Sequence, residues 1–109
     1  MISKDRFNKE IRSVVDQLIR VYKPEKIILF GSLAKGMVKE GTDIDIFIIK
    51  KDAPDLGVDR IRQLDSLIKY KVATDFIVYK PEEVRERLRL GDPFIKSIFE
   101  EGEVLYDAS

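Results

Sequence analysis

The sequence predicts an α/β (α+β) fold, in which a small mixed β-sheet of three to four strands packs against helices. Two observations predict it. Apolar residues recur at helical spacing over the first 22 residues, and short runs rich in Val, Ile and Phe follow at 26–30, 43–49 and 71–79. Segments with helical spacing separate these runs. The chain of 109 residues is long enough for one domain, 1–109, with its own core.

The first helix is predicted from Lys4 to Tyr22, with Ser3 as its N-terminal cap. Its apolar face consists of Phe7, Ile11, Val14, Leu18 and Val21. The Lys23-Pro24 pair ends the helix, because the residue before a proline disfavours helical backbone. The apolar run Lys26–Phe30 is then typical of a buried strand, and a glycine-serine turn follows it.

The middle of the chain predicts a short helix, a strand and a second long helix. The short helix spans Leu33–Lys39 and is weakened by Gly36. After a turn at 40–42, the strand Asp43–Ile49 is rich in β-branched residues. The long helix after it has its apolar positions at Val58, Ile61, Leu64, Leu67 and Ile68.

The last third predicts a strand, two helices and a final strand. The strand is Lys71–Tyr79, and Pro81 begins a charged helix with acids early and arginines late, as the helix dipole favours. The Asp92-Pro93 pair caps and opens another helix, which Gly102 ends before a short strand at 104–106. The apolar face of that helix consists of Phe94, Ile95, Ile98 and Phe99.

Composition excludes several classes of chemistry and partner. The chain has 20 basic and 20 acidic residues, whereas proteins that hold nucleic acid through phosphate contacts are usually basic. This balance argues against a general binder of DNA or RNA, so we do not expect a nucleic-acid partner, although it leaves a local basic patch open. It has no cysteine and no histidine, which excludes thiolate nucleophiles, serine-histidine triads and imidazole metal ligands. No apolar run approaches about 20 residues and no signal peptide is visible, so we expect a cytoplasmic protein without a membrane span.

Three aspartates stand within or beside predicted strands. Asp43 and Asp45 are two residues apart, so their side chains project to the same face of a strand. Asp75 lies inside the next strand run. If these two strands are neighbours, the three carboxylates converge. The opposite face of the strand that carries Asp43 and Asp45 would then bury Ile44, Ile46 and Ile48.

A cluster of carboxylates points to a bound cation. Like charges that lie close together resist ionisation unless an opposite charge compensates them. Oxygen ligands suit hard divalent ions such as Mg²⁺. The plainer interpretation, strand-end residues in water, fits one aspartate beside a turn, but it fits Asp45 and Asp75 less well because both stand within β-branched runs.

The Gly31-Ser32 pair directly follows the first predicted strand and opens the predicted short helix. Free N–H groups and the positive end of a helix suit phosphate, and the Ser32 hydroxyl adds a donor. An ordinary turn with a serine cap is the alternative. No Lys-Ser or Lys-Thr pair follows at the spacing of a P-loop. Lys35 could reach a phosphate, but we favour the interpretation of a solvated lysine.

These two signals together resemble the nucleotidyltransferase signature of the DNA polymerase beta superfamily. The signature is Gly31-Ser32, ten residues, then Asp43-Ile44-Asp45, with Asp75 on the next strand. The stretches FGSLAKG, GTDIDIFII and EEGEVLY are similar to the minimal nucleotidyltransferases, or MNT proteins, and the resemblance covers nearly the whole chain. One departure is Leu33, which stands where many relatives carry arginine or an aromatic residue.

The resemblance implies a polymerase beta-like nucleotidyltransferase fold and an enzyme that moves AMP from ATP to an acceptor. Asp43 and Asp45 would hold two Mg²⁺ ions, and Asp75 would hold one metal and orient or deprotonate the attacking hydroxyl. Gly31 and Ser32 would grip the β- and γ-phosphates of ATP.

The acceptor is expected to be another protein, because the chain has no room for a second, acceptor-binding domain. Many members of the resembling family are antitoxins of toxin-antitoxin pairs, whose partners are HEPN-domain toxins, so the resemblance implies transfer of AMP to a tyrosine of such a toxin. A non-catalytic nucleotide- or partner-binding module and a small-molecule acceptor remain alternatives. A metal-dependent glycosyltransferase also uses an Asp-x-Asp pair but has a much larger catalytic domain. The sequence leaves nucleotide preference and oligomeric state open.

Overall fold

A computed structural model describes residues 4–39 and 41–109 and confirms the α/β fold. The predicted cap at Ser3 and residue Glu40 of the second turn lie outside the described residues. The elements are α1 (Lys4–Gln17), a π-helical turn (Leu18–Tyr22), β1 (Lys26–Phe30), β2 (Ile44–Ile49), α2 (Gly57–Leu67), β3 (Thr74–Tyr79), α3 (Pro81–Arg89), α4 (Pro93–Glu101) and β4 (Glu103–Asp107).

The four strands form one mixed sheet in the order β3-β2-β1-β4. β2 runs parallel to β3, whereas β1 is antiparallel to both β2 and β4. The register places Phe30 opposite Asp45, and Asp45 opposite Asp75. The end of β1 therefore lies beside the beginnings of β2 and β3, along one edge of the sheet.

Helices cover both faces of the sheet, because successive residues of β2 alternate between two apolar clusters. One cluster joins α1 and α2 to the predicted core residues Ile44, Ile46 and Ile48, and all three are fully buried. The other joins α3 and α4 to Phe47 and Ile49. Each fully buried aliphatic side chain stabilises the fold by roughly 1.5–3 kcal/mol. Asp45 has the same parity as Phe47, so it lies on the α3–α4 face.

The first helix does not continue as an α-helix to Tyr22. Residues 18–22 form a π-helical turn, which is wider than an α-helical turn. As a result Tyr22 is buried, whereas Val21, predicted for the apolar face, is 44% exposed. The segment ends at Lys23, whose φ of 56° is left-handed and whose N–H donates to the carbonyl of Leu18 at 2.8 Å.

The prediction of a helix at Leu33–Lys39 is wrong. These residues contain a compact turn, in which the N–H groups of Lys35 and Met37 donate to the carbonyl of Ser32 at 3.1 and 2.9 Å. Gly36, with a φ of +78°, takes the backbone out of helical conformation within that turn. The Gly31-Ser32 pair therefore opens a single turn and not a helix.

Other predicted boundaries need smaller corrections. β2 begins at Ile44, one residue after Asp43, and β3 begins at Thr74 instead of Lys71. In α2 the predicted apolar residue Leu64 is buried, but Val58 and Leu67 are exposed, because the helix turns Arg60 inward together with Leu64. The predicted helix cap at Asp92 is confirmed, since its Oδ1 accepts hydrogen bonds from two N–H groups of the first turn of α4.

In the part of the chain that the structure describes, no helix has the length and apolar character needed to cross a membrane.

Candidate active site

A cleft of about 270 Å³ opens at the edge of the sheet where β1 ends and β2 begins. It is open to solvent. Two of the predicted aspartates and the predicted serine line it. The lining residues are Ser32, Lys39, Gly41, Thr42, Asp43 and Asp45.

Gly31 brings the turn after β1 directly against one of these carboxylates. A Cβ atom at this position would overlap Oδ2 of Asp45. The φ of Gly31 is +75°, which side chains other than glycine rarely tolerate. Glycine is therefore required here both for backbone conformation and for space, and the result is that the Ser32 turn and Asp45 are close neighbours.

Asp45 is the electrostatic centre of the site. Parallel strands with matched register point their side chains to the same face, so Asp45 and Asp75 lie side by side. Burial raises the pKa of Asp45, and the negative charges of Asp75 and then Asp43 raise this pKa further. The site thus concentrates negative charge that favours a bound cation.

The three predicted aspartates are only partly assembled. Asp43, which is exposed, and Asp45, which is half-buried, both line the cleft, but Asp75 does not. Within residues 4–39 and 41–109, no group of three or more acidic side chains is arranged to hold a metal ion. The chemistry of the donors nevertheless fits a hard divalent ion, because the carboxylates repel one another and offer oxygen ligands alone.

Two residues that sequence reasoning did not assign to the site shape its mouth. The N–H of Lys39 donates to Oγ1 of Thr42 at 3.2 Å, and the N–H of Thr42 donates to the carbonyl of Lys39 at 3.1 Å. Gly41 has a φ of +82°, which permits this tight reversal directly before Asp43. The signal available in the sequence was a lysine followed by a glycine-threonine turn that leads into the first aspartate.

Two residues that follow Ser32 in the sequence, Leu33 and Lys35, do not line the cleft. Leu33 packs against the apolar cluster on the α1–α2 side and so does not face the cleft. Lys35 forms an ion pair of 3.4 Å with Glu101 of α4, and both side chains are more than half exposed. Such surface pairs contribute little to stability.

The chain belongs to the nucleotidyltransferase domain family, which matches residues 9–106. It is 37% identical over 100 residues to a protein of Methanocaldococcus jannaschii named as a candidate protein adenylyltransferase, with 90% of this chain and 96% of the relative covered. A second protein of that organism with the same description is 26% identical over 110 aligned positions, covering 91% of this chain and 74% of the relative.

A solved structure shows the same fold. The crystal structure of a candidate nucleotidyltransferase from Sulfolobus solfataricus superposes with a TM-score of 0.63 at 20% sequence identity. The superposition covers 98% of this chain and 91% of the other. The nucleotidyltransferase fold that the resemblance implied is therefore confirmed.

Proposed function

We propose that this nucleotidyltransferase transfers AMP from ATP to a hydroxyl group of another protein. The observation that carries the proposal is the register that sets Asp45 opposite Asp75, beside the Gly31-Ser32 turn. The names of the relatives, candidate protein adenylyltransferases, support a protein as the acceptor.

In this proposal the cleft residues divide into metal-holding and phosphate-orienting groups. Asp43 and Asp45, with Asp75 beside them, would hold two Mg²⁺ ions. When bound, Mg²⁺ neutralises charge that develops on the transferring phosphate group. Ser32 donates its hydroxyl to the β- and γ-phosphates, and Gly31 lets the backbone approach them closely.

Asp75 is assigned to the acceptor. Its carboxylate orients the attacking hydroxyl and accepts its proton. The hydroxyl oxygen forms a bond to the α-phosphorus of ATP, the bond from that phosphorus to the bridging oxygen of the β-phosphate breaks, and pyrophosphate leaves. The acceptor hydroxyl is that of a tyrosine in a HEPN-domain toxin partner, so the chain would act as the antitoxin of the pair, in the cytoplasm where ATP is available.

Nucleotide binding is the first test. Mg²⁺ and ATP together should raise the melting temperature, because a ligand that binds only the folded chain stabilises it. Asp43→Asn and Ser32→Ala should both reduce this rise. Asp16→Asn and Ser66→Ala, on α1 and α2, are matched controls and should leave it unchanged. A wild-type protein that binds no ATP at millimolar concentration with Mg²⁺ contradicts the proposal.

Group transfer is the second test. The chain is co-expressed with the protein encoded by the neighbouring gene and supplied with ATP labelled at the α- or the γ-phosphate. Label from the α-phosphate, and not from the γ-phosphate, should reach a tyrosine of the partner, and Asp43→Asn or Asp45→Asn should abolish it. Binding of ATP without transfer would favour the non-catalytic module, and label on a small molecule would favour that acceptor class.

A further inference from the structure

One cation stands in the cleft without a partner. Lys39 lines the same cleft as Ser32, Asp43 and Asp45. Its backbone is anchored to Thr42, but within residues 4–39 and 41–109 its side-chain ammonium makes neither an ion pair nor a hydrogen bond. A free lysine beside two carboxylates is therefore available to an anion that enters the cleft together with a metal.

Two other residues near the turn do not supply a cation to this cleft. Leu33 supplies no charge and packs against the core. Lys35 is paired with Glu101 and lines a separate hollow beside α4, together with Phe94. Among the described residues, Lys39 is thus the cation that faces the space between Ser32 and Asp43.

The turn geometry explains how Lys39 is held there. The reciprocal hydrogen bonds between Lys39 and Thr42 close the turn, and Gly41 supplies its positive φ. The backbone is thereby fixed at the mouth of the cleft, while the long lysine side chain stays free to follow a ligand. A lysine ammonium acts on phosphate as a mobile point charge with three donors.

We propose that Lys39 binds the terminal phosphates of the nucleotide and so selects a nucleoside triphosphate over a monophosphate. The inference rests on the proposed function and deepens it. The β- and γ-phosphates carry the charge that a monophosphate lacks, so the contribution of Lys39 belongs to the triphosphate alone. Because Lys39 is exposed, this contribution is sensitive to salt.

The test compares dissociation constants for AMP and for an ATP analogue that cannot be cleaved between the α- and β-phosphates, each with Mg²⁺. Lys39→Ala should weaken binding of the analogue about tenfold, the usual scale of one charge-assisted hydrogen bond, and should leave AMP unchanged. Lys39→Arg should restore most of the affinity. Lys51→Ala, an exposed lysine just beyond the other end of β2, is the matched control and should change neither constant.

Three results overturn the inference: an unchanged constant for the analogue in Lys39→Ala, equal losses for AMP and the analogue, or a tenfold loss in Lys35→Ala and none in Lys39→Ala. The proposed function fails separately. If the wild type binds neither nucleotide, both ideas fall. If the wild type binds the analogue and transfers AMP while Lys39→Ala binds it equally well, only the role of Lys39 is refuted.

Discussion

Gly31 and Gly36 lie in one short segment with nearly the same backbone conformation, yet their surroundings differ. Their φ angles are +75° and +78°. A Cβ at Gly31 would overlap the carboxylate of Asp45, whereas a Cβ at Gly36 would meet no atom within 4 Å. Substitutions at the two glycines therefore distinguish two free-energy costs: that of a left-handed backbone, and that of displacing the side chain of Asp45.

Replacing each glycine with alanine tests this difference. Gly36→Ala should lower the free energy of unfolding by about 1 kcal/mol, the cost of left-handed backbone for alanine. Gly31→Ala should cost more, about 2–3 kcal/mol, because Asp45 must also move. Gly31→Ala should in addition lose Mg²⁺-dependent ATP binding, which Gly36→Ala should keep. Denaturant melts and calorimetry measure both effects, and equal behaviour of the two variants would contradict the close-packing argument.

The pairing of β2 with β3 places two carboxylates, those of Asp45 and Asp75, where they repel each other. Asp45 is held opposite Asp75 by the backbone ladder, so neither carboxylate can avoid the other by shifting its strand. Burial and these neighbouring charges raise the pKa of Asp45 in the folded chain above its ordinary value of 3.8. The ionised form is thus disfavoured in the folded state relative to the unfolded state.

Asp45→Asn should therefore stabilise the protein in EDTA. For an acid with a raised folded pKa, the unfolded chain releases its proton first, so the wild type loses stability as pH rises from the unfolded pKa through the folded one. The variant lacks this loss, and the gap in unfolding free energy should grow across that window and level off above it. We expect about 0.5–1 kcal/mol in denaturant melts, a modest value because solvent screens a half-buried group.

Addition of Mg²⁺ and ATP should shrink or reverse this gap, because only the wild type keeps the full set of carboxylates. Asp16→Asn, on the exposed surface of α1, serves as the control and should show no pH-dependent gain. If Asp45 instead accepted structural hydrogen bonds, its replacement would cost roughly 1–3 kcal/mol whether or not metal was present. That outcome would refute the shared-charge interpretation.

Arg60 connects three elements at the end of the sheet remote from the cleft. It lies on α2, is only 6% exposed, and donates to the carbonyl of Val78 in β3 at 2.9 Å. Its guanidinium also binds both carboxylate oxygens of Glu83 in α3, at 2.8 and 3.1 Å. One side chain therefore joins helices on opposite faces of the sheet.

Arg60→Met should destabilise the whole molecule by about 2–3 kcal/mol, because Glu83 and the carbonyl groups lose a charged donor. Arg62→Met, on the exposed side of the same helix, should change stability by less than about 0.5 kcal/mol. The hydrogen bond from Arg60 lowers the pKa of Glu83, so its contribution is present above the unfolded pKa and is lost as pH falls through the folded one. Urea melts at neutral and acidic pH should show the two arginine variants converging in acid, and a constant difference would argue against the ion pair.

The elements that the sequence by itself determined are those with a local pattern. β1 was predicted with its observed bounds, and the alternation in β2 placed Ile44, Ile46 and Ile48 in the core, because a period of two is a property of the strand alone. The glycine-serine turn and the Asp-Ile-Asp strand also carried the resemblance to nucleotidyltransferases, and the family match over residues 9–106 confirms it.

Only the tertiary structure decided how distant segments meet. Nothing local indicates that Asp75 stands opposite Asp45, since the pairing of β2 with β3 depends on how α2, the helix between them, packs on the sheet. From the sequence, an arginine such as Arg60 is expected on the exposed side of a helix. It is buried because Glu83 of α3 lies within hydrogen-bond distance of its guanidinium. Lys39 lines the cleft because its backbone hydrogen bonds with Thr42 hold it beside Asp43. These three arrangements depend on contacts between segments that are far apart in the chain, or on the exact path of a turn. The order of apolar and polar residues along the sequence specifies neither the contacts nor the path.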